Sequence, residues 1–263
     1  MKEGDLLVPL ILLTNDDGIL APGINALRQE LEKIDGLEIW SVAPDRERSA
    51  SGHAITTYRP LFPLEAKIPG ARTPCYSVTG TPADSAKLAI DELLPRRPDL
   101  VISGINHGSN LGTDIFYSGT VAAALEGPIL GIPAVASSLD LGPGADYGLA
   151  ARFTADLALK VLREGLPPGT LLNVNIPGLP EEEIKGVRIT RMGRRLYKDQ
   201  WDRRVDPRGR TYYWLAGEVM ELDNGPDTDV SAVAEGYISV TPVQLDLTRQ
   251  DQMDRLRNWN LKV

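Results

Sequence analysis

The longest apolar run of the chain lies near its start: Leu6-Leu7-Val8-Pro9-Leu10-Ile11-Leu12-Leu13. It is far short of the roughly 20 residues that a membrane-spanning helix needs. It also lacks the basic flank of a secretory signal, because Lys2 is outnumbered by Glu3 and Asp5. A run with no polar alternation is the mark of a strand buried on both faces, which is the situation of a strand inside a parallel sheet. The expectation is therefore a strand over Val8–Thr14 at the centre of an α/β fold.

The following segments agree with that expectation. Ile24, Leu27, Leu31 and Ile34 recur at helical spacing, so residues 24–34 read as an amphipathic helix. Leu37–Ala43 reads as the next strand, Tyr76–Val78 as a short one, and Leu100–Ser103, Pro133–Ala136 and Leu171–Ile176 as further strands. Between them, helices are expected over Thr81–Leu94, Val121–Leu130 and Leu149–Leu162. Thr81 is placed as an N-cap, with Pro82 at the first helical position and Asp84 completing an approximate capping box. Strands alternating with helices of this length imply a mostly parallel sheet with helices on both faces. After Gly178 the character changes. Residues 188–219 carry Arg pairs, Trp201, Tyr212, Tyr213 and Trp214 among polar residues and read as hairpins, and Gln250–Leu261 reads as a helix. One domain spanning 1–263 is expected, with an α/β core over about 8–178 and an extension over 179–263. The extension's aromatics serve either a subunit interface or packing on their own domain.

Composition narrows the chemistry. The single Cys75 excludes an intramolecular disulfide framework and any Cys-rich metal cluster, and two His exclude a three-His zinc site from this chain alone. A formal net charge of -8 argues against a polyanion or anionic-membrane binder. One Cys and no secretory signal suit a cytoplasmic protein. Carboxylates, hydroxyls, amides and backbone N–H groups remain to carry the function.

Three polar clusters fall where strands end: Thr14-Asn15-Asp16-Asp17-Gly18, Asp45 through His53, and Ser103 through Gly112. In an open parallel sheet, ligands bind outside the carboxyl ends of the strands. Adjacent Asp16 and Asp17 repel each other unless a cation lies between them, although Asp-Asp-Gly is also a common turn sequence. Asn106 and Ser49 are neutral oxygen donors that would complete a site for Mg²⁺ or Mn²⁺, although taken singly each reads first as a turn amide and as a loop hydroxyl or helix cap. Ser118-Gly119-Thr120 opens the helix at Val121, where it serves as an ordinary cap or as an anion site built from N–H groups. No phosphate-binding P-loop, Gly-x-Gly-x-x-Gly, Gly-x-Ser-x-Gly or His-Glu-x-x-His is present.

Taken in order, Thr14 to Gly18, Ala43-Pro44-Asp45 through His53, Gly80-Thr81-Pro82-Ala83-Asp84, Ser103 to Asn106 with Gly108 and Asn110, Tyr117 to Thr120 with Glu126-Gly127, and Glu235 to Pro242 resemble the SurE (survival protein E) family of metal-dependent 5′-nucleotidases. The resemblance implies a three-layer α/β/α Rossmann-like fold whose C-terminal extension is exchanged or packed between subunits of a homodimer or homotetramer. It implies hydrolysis of nucleoside 5′-monophosphates, with 3′-monophosphates as a further substrate class, and one Mg²⁺ or Mn²⁺ per subunit. Metal ligands would be Asp16, Asp17, Ser49 and Asn106, with Asp16 and Asp17 catalytic. Asn106, Asn110, Ser118, Gly119 and Thr120 would contact the phosphate. Many members carry a His near the position of Gln244, so no acid from that segment is expected here. His53 is the imidazole available to protonate a leaving group or to orient its neighbours. The rival functions are a phosphatase for sugar phosphates or short polyphosphate, and a nucleotide-binding module without catalysis.

Overall fold

A computed structural model describes residues 8–220, 222, 224–259 and 261. Leu6 and Leu7 of the apolar run and Asn260 of the tail lie outside the described residues. The first strand, β1 (Leu10–Thr14), is buried along its whole length. It is followed by α1 (Pro22–Leu31), β2 (Glu38–Pro44), β3 (Pro63–Glu65), β4 (Cys75–Val78), α2 (Pro82–Leu88), β5 (Leu100–His107), α3 (Gly119–Ile129), β6 (Ala134–Leu139), α4 (Tyr147–Glu164) and β7 (Thr170–Ile176). Then come β8 (Val187–Ile189), β9 (Leu196–Val205), β10 (Thr211–Met220), α5 (Asp229–Ala234), β11 (Ile238–Gln244) and α6 (Gln250–Arg257).

The main sheet has the order β3-β4-β2-β1-β5-β6-β7-β11-β8. Its central pairs from β4 to β7 are parallel. β3 and β11 run antiparallel to β4 and β7, and β8 runs parallel to β11. Helices α1 and α4 cover one face and α2 and α3 the other, each pair closing its own apolar cluster. This is the expected three-layer architecture. The order reverses at β1, whose successors in the chain lie on opposite sides of it, so the crevice for a ligand is expected at the carboxyl ends of β1 and β5.

Several elements differ from the sequence expectation. β5 does not end at Ser103 but continues to His107, passing a register shift against β6 between Ser103 and Asn106. The polar Ser103-Gly104 concealed that continuation. The helix expected over Thr81–Leu94 is α2 followed by a wider π-type turn over Ala89–Leu93. Its capping box is formed as expected: Thr81 Oγ1 accepts from the Asp84 N–H, and the Asp84 carboxylate accepts from the Thr81 N–H. Beyond Gly178, among the described residues, β9–β10 forms the expected hairpin, and β8 and β11 return to the main sheet. The hairpin's Trp201, Tyr213 and Trp214 are exposed, as are Met253, Leu256 and Trp259 on and after α6. Packing on their own domain, one of the two roles considered for the hairpin aromatics, is not what this chain shows.

Candidate active site

The site grows from the end of β1. Asn15 closes a turn on Gly18: its Oδ1 accepts from the Gly18 N–H (3.1 Å) and its Nδ2 donates to the Gly18 carbonyl (2.9 Å). Gly18 has φ +101°, and a Cβ there would meet the Arg46 backbone at 3.1 Å, so the turn needs glycine. This turn sends Asp16 and Asp17 outward from the strand end. Asp16 is buried, and its Oδ1 accepts from the Thr120 hydroxyl. Burial is the main cause that pushes its carboxyl up to about 6, opposed by the Thr120 hydrogen bond and assisted by the charge of Asp17. Asp17 is also raised, again chiefly by burial, while the His107 N–H donates to its Oδ2 (3.0 Å) and Glu47 adds negative charge nearby. Two carboxylates under this penalty form a place for a cation.

The other expected ligands lie on the neighbouring ends. Asn106 sits near the end of β5, where its Nδ2 donates to the Gly108 carbonyl (2.8 Å); among the described residues its Oδ1 takes no hydrogen bond. The turn and the ligand roles considered for Asn106 are thus compatible, since the turn uses only the amide nitrogen. Ser49 is exposed on the loop after β2, and its hydroxyl donates to Glu47 Oε1 (2.8 Å). That loop is fixed to the carboxylates by the Arg48 N–H, which donates to the Asp16 carbonyl (2.8 Å). Among the described residues no three of His, Cys, Asp and Glu come together as metal ligands. The donors expected from the sequence, two carboxylates with neutral oxygens, are of the type that a hard ion such as Mg²⁺ or Mn²⁺ takes.

Helix α3 starts against this pair. Ser118 caps it by accepting from the Val121 N–H (3.1 Å). A Cβ on Gly119 would stand 2.8 Å from Asp16 Cβ and 2.9 Å from its Oδ2, so the helix backbone touches the carboxylate directly. Free N–H groups at a helix start, with its partial positive charge, are an anion site. Of the residues expected to contact phosphate, Ser118 and Thr120 have hydroxyls already engaged by the cap and by Asp16. The Ser118 N–H donates to the Asp114 carbonyl (3.1 Å) and the Thr120 main chain also bonds Asp16, which leaves the Gly119 N–H for an anion. Asn110 is turned inward. Its N–H donates to Asn175 Oδ1 (2.7 Å), its Nδ2 to Ser138 Oγ (2.8 Å), and its carbonyl accepts from Asn173 (2.9 Å) and Asn175 (3.1 Å).

The family model for survival protein SurE matches residues 11–199. The chain belongs to the SurE family. It is 75% identical over 252 residues to a 5′-nucleotidase SurE of Symbiobacterium thermophilum, covering 96% of this chain and 98% of that one. It is 55% identical to a 5′-nucleotidase SurE of Moorella thermoacetica, covering 94% of each. Among solved structures, the SurE protein from Aquifex aeolicus superposes with a TM-score of 0.80 at 44% identity, covering 95% of this chain and 99% of that one.

Around the SurE signature lie residues that sequence reasoning left without a role. Glu126 is buried and holds His53 Nε2 at 2.6 Å, pinning the Ser49 loop to α3. His107 Nδ1 meets the Tyr147 hydroxyl at 2.8 Å. Asn173 and Asn175, spaced two apart in an apolar strand, carry the signal of a shared polar face at the sheet end. Asp229 is fully buried and accepts from the N–H groups of Gly112 and Gly193, both at 2.7 Å, which ties the loop before α3 to the root of the hairpin. A cavity of about 750 Å³ runs beside α3, with His53, Ser118 and Leu125 on one wall and Met192, Val243 and Leu245 on another.

Proposed function

We propose that this chain is a metal-dependent phosphomonoesterase that hydrolyses nucleoside 5′-monophosphates to nucleoside and phosphate. The observation that carries it is the contact of a buried carboxylate, Asp16, with the first turn of α3, in a pair with Asp17. Two carboxylates facing an anion site repel a phosphate unless a cation intervenes, so metal and phosphate belong to one site. Asp16, Asp17, Ser49 and Asn106 would hold one Mg²⁺ or Mn²⁺. When bound, such an ion withdraws charge from the phosphate and acidifies a water for in-line attack. Thr120 keeps Asp16 from swinging, the His107 N–H does the same for Asp17, and the Gly119 N–H at the helix start donates to a phosphate oxygen as negative charge redistributes in the transition state. The similarity to relatives named 5′-nucleotidase supports nucleotide over sugar phosphate.

The exposed aromatic hairpin and the apolar side of α6 support assembly as a homodimer or homotetramer. Among the described residues no helix is long and apolar enough to cross a membrane. The single, buried Cys75 is compatible with a cytoplasmic location.

The test is phosphate release from a panel of nucleoside 5′- and 3′-monophosphates, sugar phosphates and short polyphosphate. EDTA is added first and Mg²⁺ or Mn²⁺ afterwards. Release that is fastest on 5′-nucleotides, abolished by EDTA and restored by metal is expected. Release unaffected by chelation, or no release from any substrate, would overturn the assignment.

A further inference from the structure

The loop after β2 brings one more side chain to the site. Glu47 and Ser49 flank Arg48, the residue whose N–H is bonded to the Asp16 carbonyl. The Ser49 hydroxyl donates to Glu47 Oε1 at 2.8 Å. We propose that Glu47 is a positioning residue for the cation: by holding the Ser49 hydroxyl through its proton, it leaves the oxygen's lone pairs for the metal. This rests on the assignment of Ser49 as a ligand.

The physical argument starts from the hydroxyl, which has one proton and two acceptor lone pairs and rotates freely when nothing holds it. A free rotor presents its proton to a cation for part of the time. A fixed acceptor removes that orientation, and an anionic acceptor also makes the oxygen more basic. Partners of this kind, one shell out from a metal, commonly change its affinity by about 10–100-fold. The turn that carries the pair is itself held in place by the Gly52 N–H on the Tyr117 carbonyl (3.0 Å) and by His53 on Glu126 (2.6 Å). The Glu47 carboxylate also faces Asp17 closely enough to add its charge there.

The experiment is calorimetric titration of the metal-free full chain with Mn²⁺, without substrate, for wild type, Ser49→Ala, Glu47→Ala, Glu47→Gln, Glu47→Ala with Ser49→Ala, and Asp16→Asn. Glu47 is exposed, so its variants are expected to fold. The expected result is a loss of about tenfold in affinity for Glu47→Ala, near wild-type affinity for Glu47→Gln, whose amide oxygen still accepts the proton, and no further loss when Glu47→Ala is added to Ser49→Ala. Loss in Ser49→Ala with none in Glu47→Ala overturns the role of Glu47 and leaves the metal site standing. An undiminished effect of Glu47→Ala in the Ser49→Ala background overturns it too, because Glu47 would then act by charge alone. Unchanged affinity in both Asp16→Asn and Ser49→Ala removes the metal site itself, and this proposal with it.

Discussion

Gly119→Ala tests the contact on which the site depends. The added methyl would lie 2.8 Å from Asp16 Cβ, 2.9 Å from Asp16 Oδ2 and 3.0 Å from Pro82 Cγ. Ordinary carbon contacts are about 3.5–4.0 Å, so something must move by at least about half an ångström. Asp16 is the part that must yield, yet it is buried and bonded to Thr120. Pro82 closes the other side as the first residue of α2. Overpacking of this kind costs about 1–3 kcal/mol of stability, which a domain of ordinary stability survives. The effect on catalysis is larger, because a displacement of about 1 Å at a reacting centre costs about a hundredfold. Alanine also favours helix, so its backbone preference does not confuse the result. The assay combines urea denaturation, Mn²⁺ titration and phosphate release from a nucleoside 5′-monophosphate. Expected are a modest loss of stability, weaker Mn²⁺ binding and a fall in kcat of about tenfold to a hundredfold. Wild-type Mn²⁺ affinity together with wild-type kcat would refute the reasoning, since the carboxylate would then not need its place against the helix.

Asp229→Ala should cost about 3 kcal/mol in urea denaturation, because the buried N–H groups of Gly112 and Gly193 and the half-buried N–H of Val230 all lose their acceptor. It should also lower kcat/KM through the loop that leads to Ser118, and an unchanged denaturation midpoint would contradict this. Glu32→Ala should cost about 3–5 kcal/mol, since it leaves Arg28 buried with no carboxylate, its Nε and Nη2 already lacking partners among the described residues. Burial raises the Glu32 carboxyl, but its bonds to Arg28, Thr73 and Arg72 outweigh this and hold it below the ordinary value of 4.5. The stabilisation is therefore complete above that pH and lost as pH falls through the depressed folded value. The gap in stability between wild type and Glu32→Ala should narrow on acidification below about pH 4.5, and a gap independent of pH would exclude the ionised carboxylate as its source.

The layers of the fold were legible because burial writes itself into pattern. The unbroken apolar run of β1 and the helical spacing of Ile24, Leu27 and Leu31 each leave one plausible structure. Strand ends were less legible. β5 continues through Ser103, Gly104 and Asn106 because those polar groups are covered by neighbouring elements, a fact of tertiary structure absent from local sequence. The acid pair and the helix start could be read from adjacency to strands. The partners that hold them could not, since Thr120 meets Asp16 across 104 residues and Asp229 meets Gly112 across 117. Long-range hydrogen bonds carry no periodicity, and a single Glu such as Glu126 or Glu47 looks like any surface charge until the chain has folded.

The place of β11 between β7 and β8 governs the order in which the chain can be completed during synthesis. Until residues 238–244 have left the ribosome, β7 presents a row of unpaired N–H and C=O groups, an open edge of the kind that recruits other strands. The strand ends that carry the two aspartates and Asn106 belong to β1 and β5 and are translated long before. The acidic centre thus lies on strands that are translated before the one that seals the sheet. Asp229, which braces the loop leading to α3, is made only a few residues before the strand that seals it.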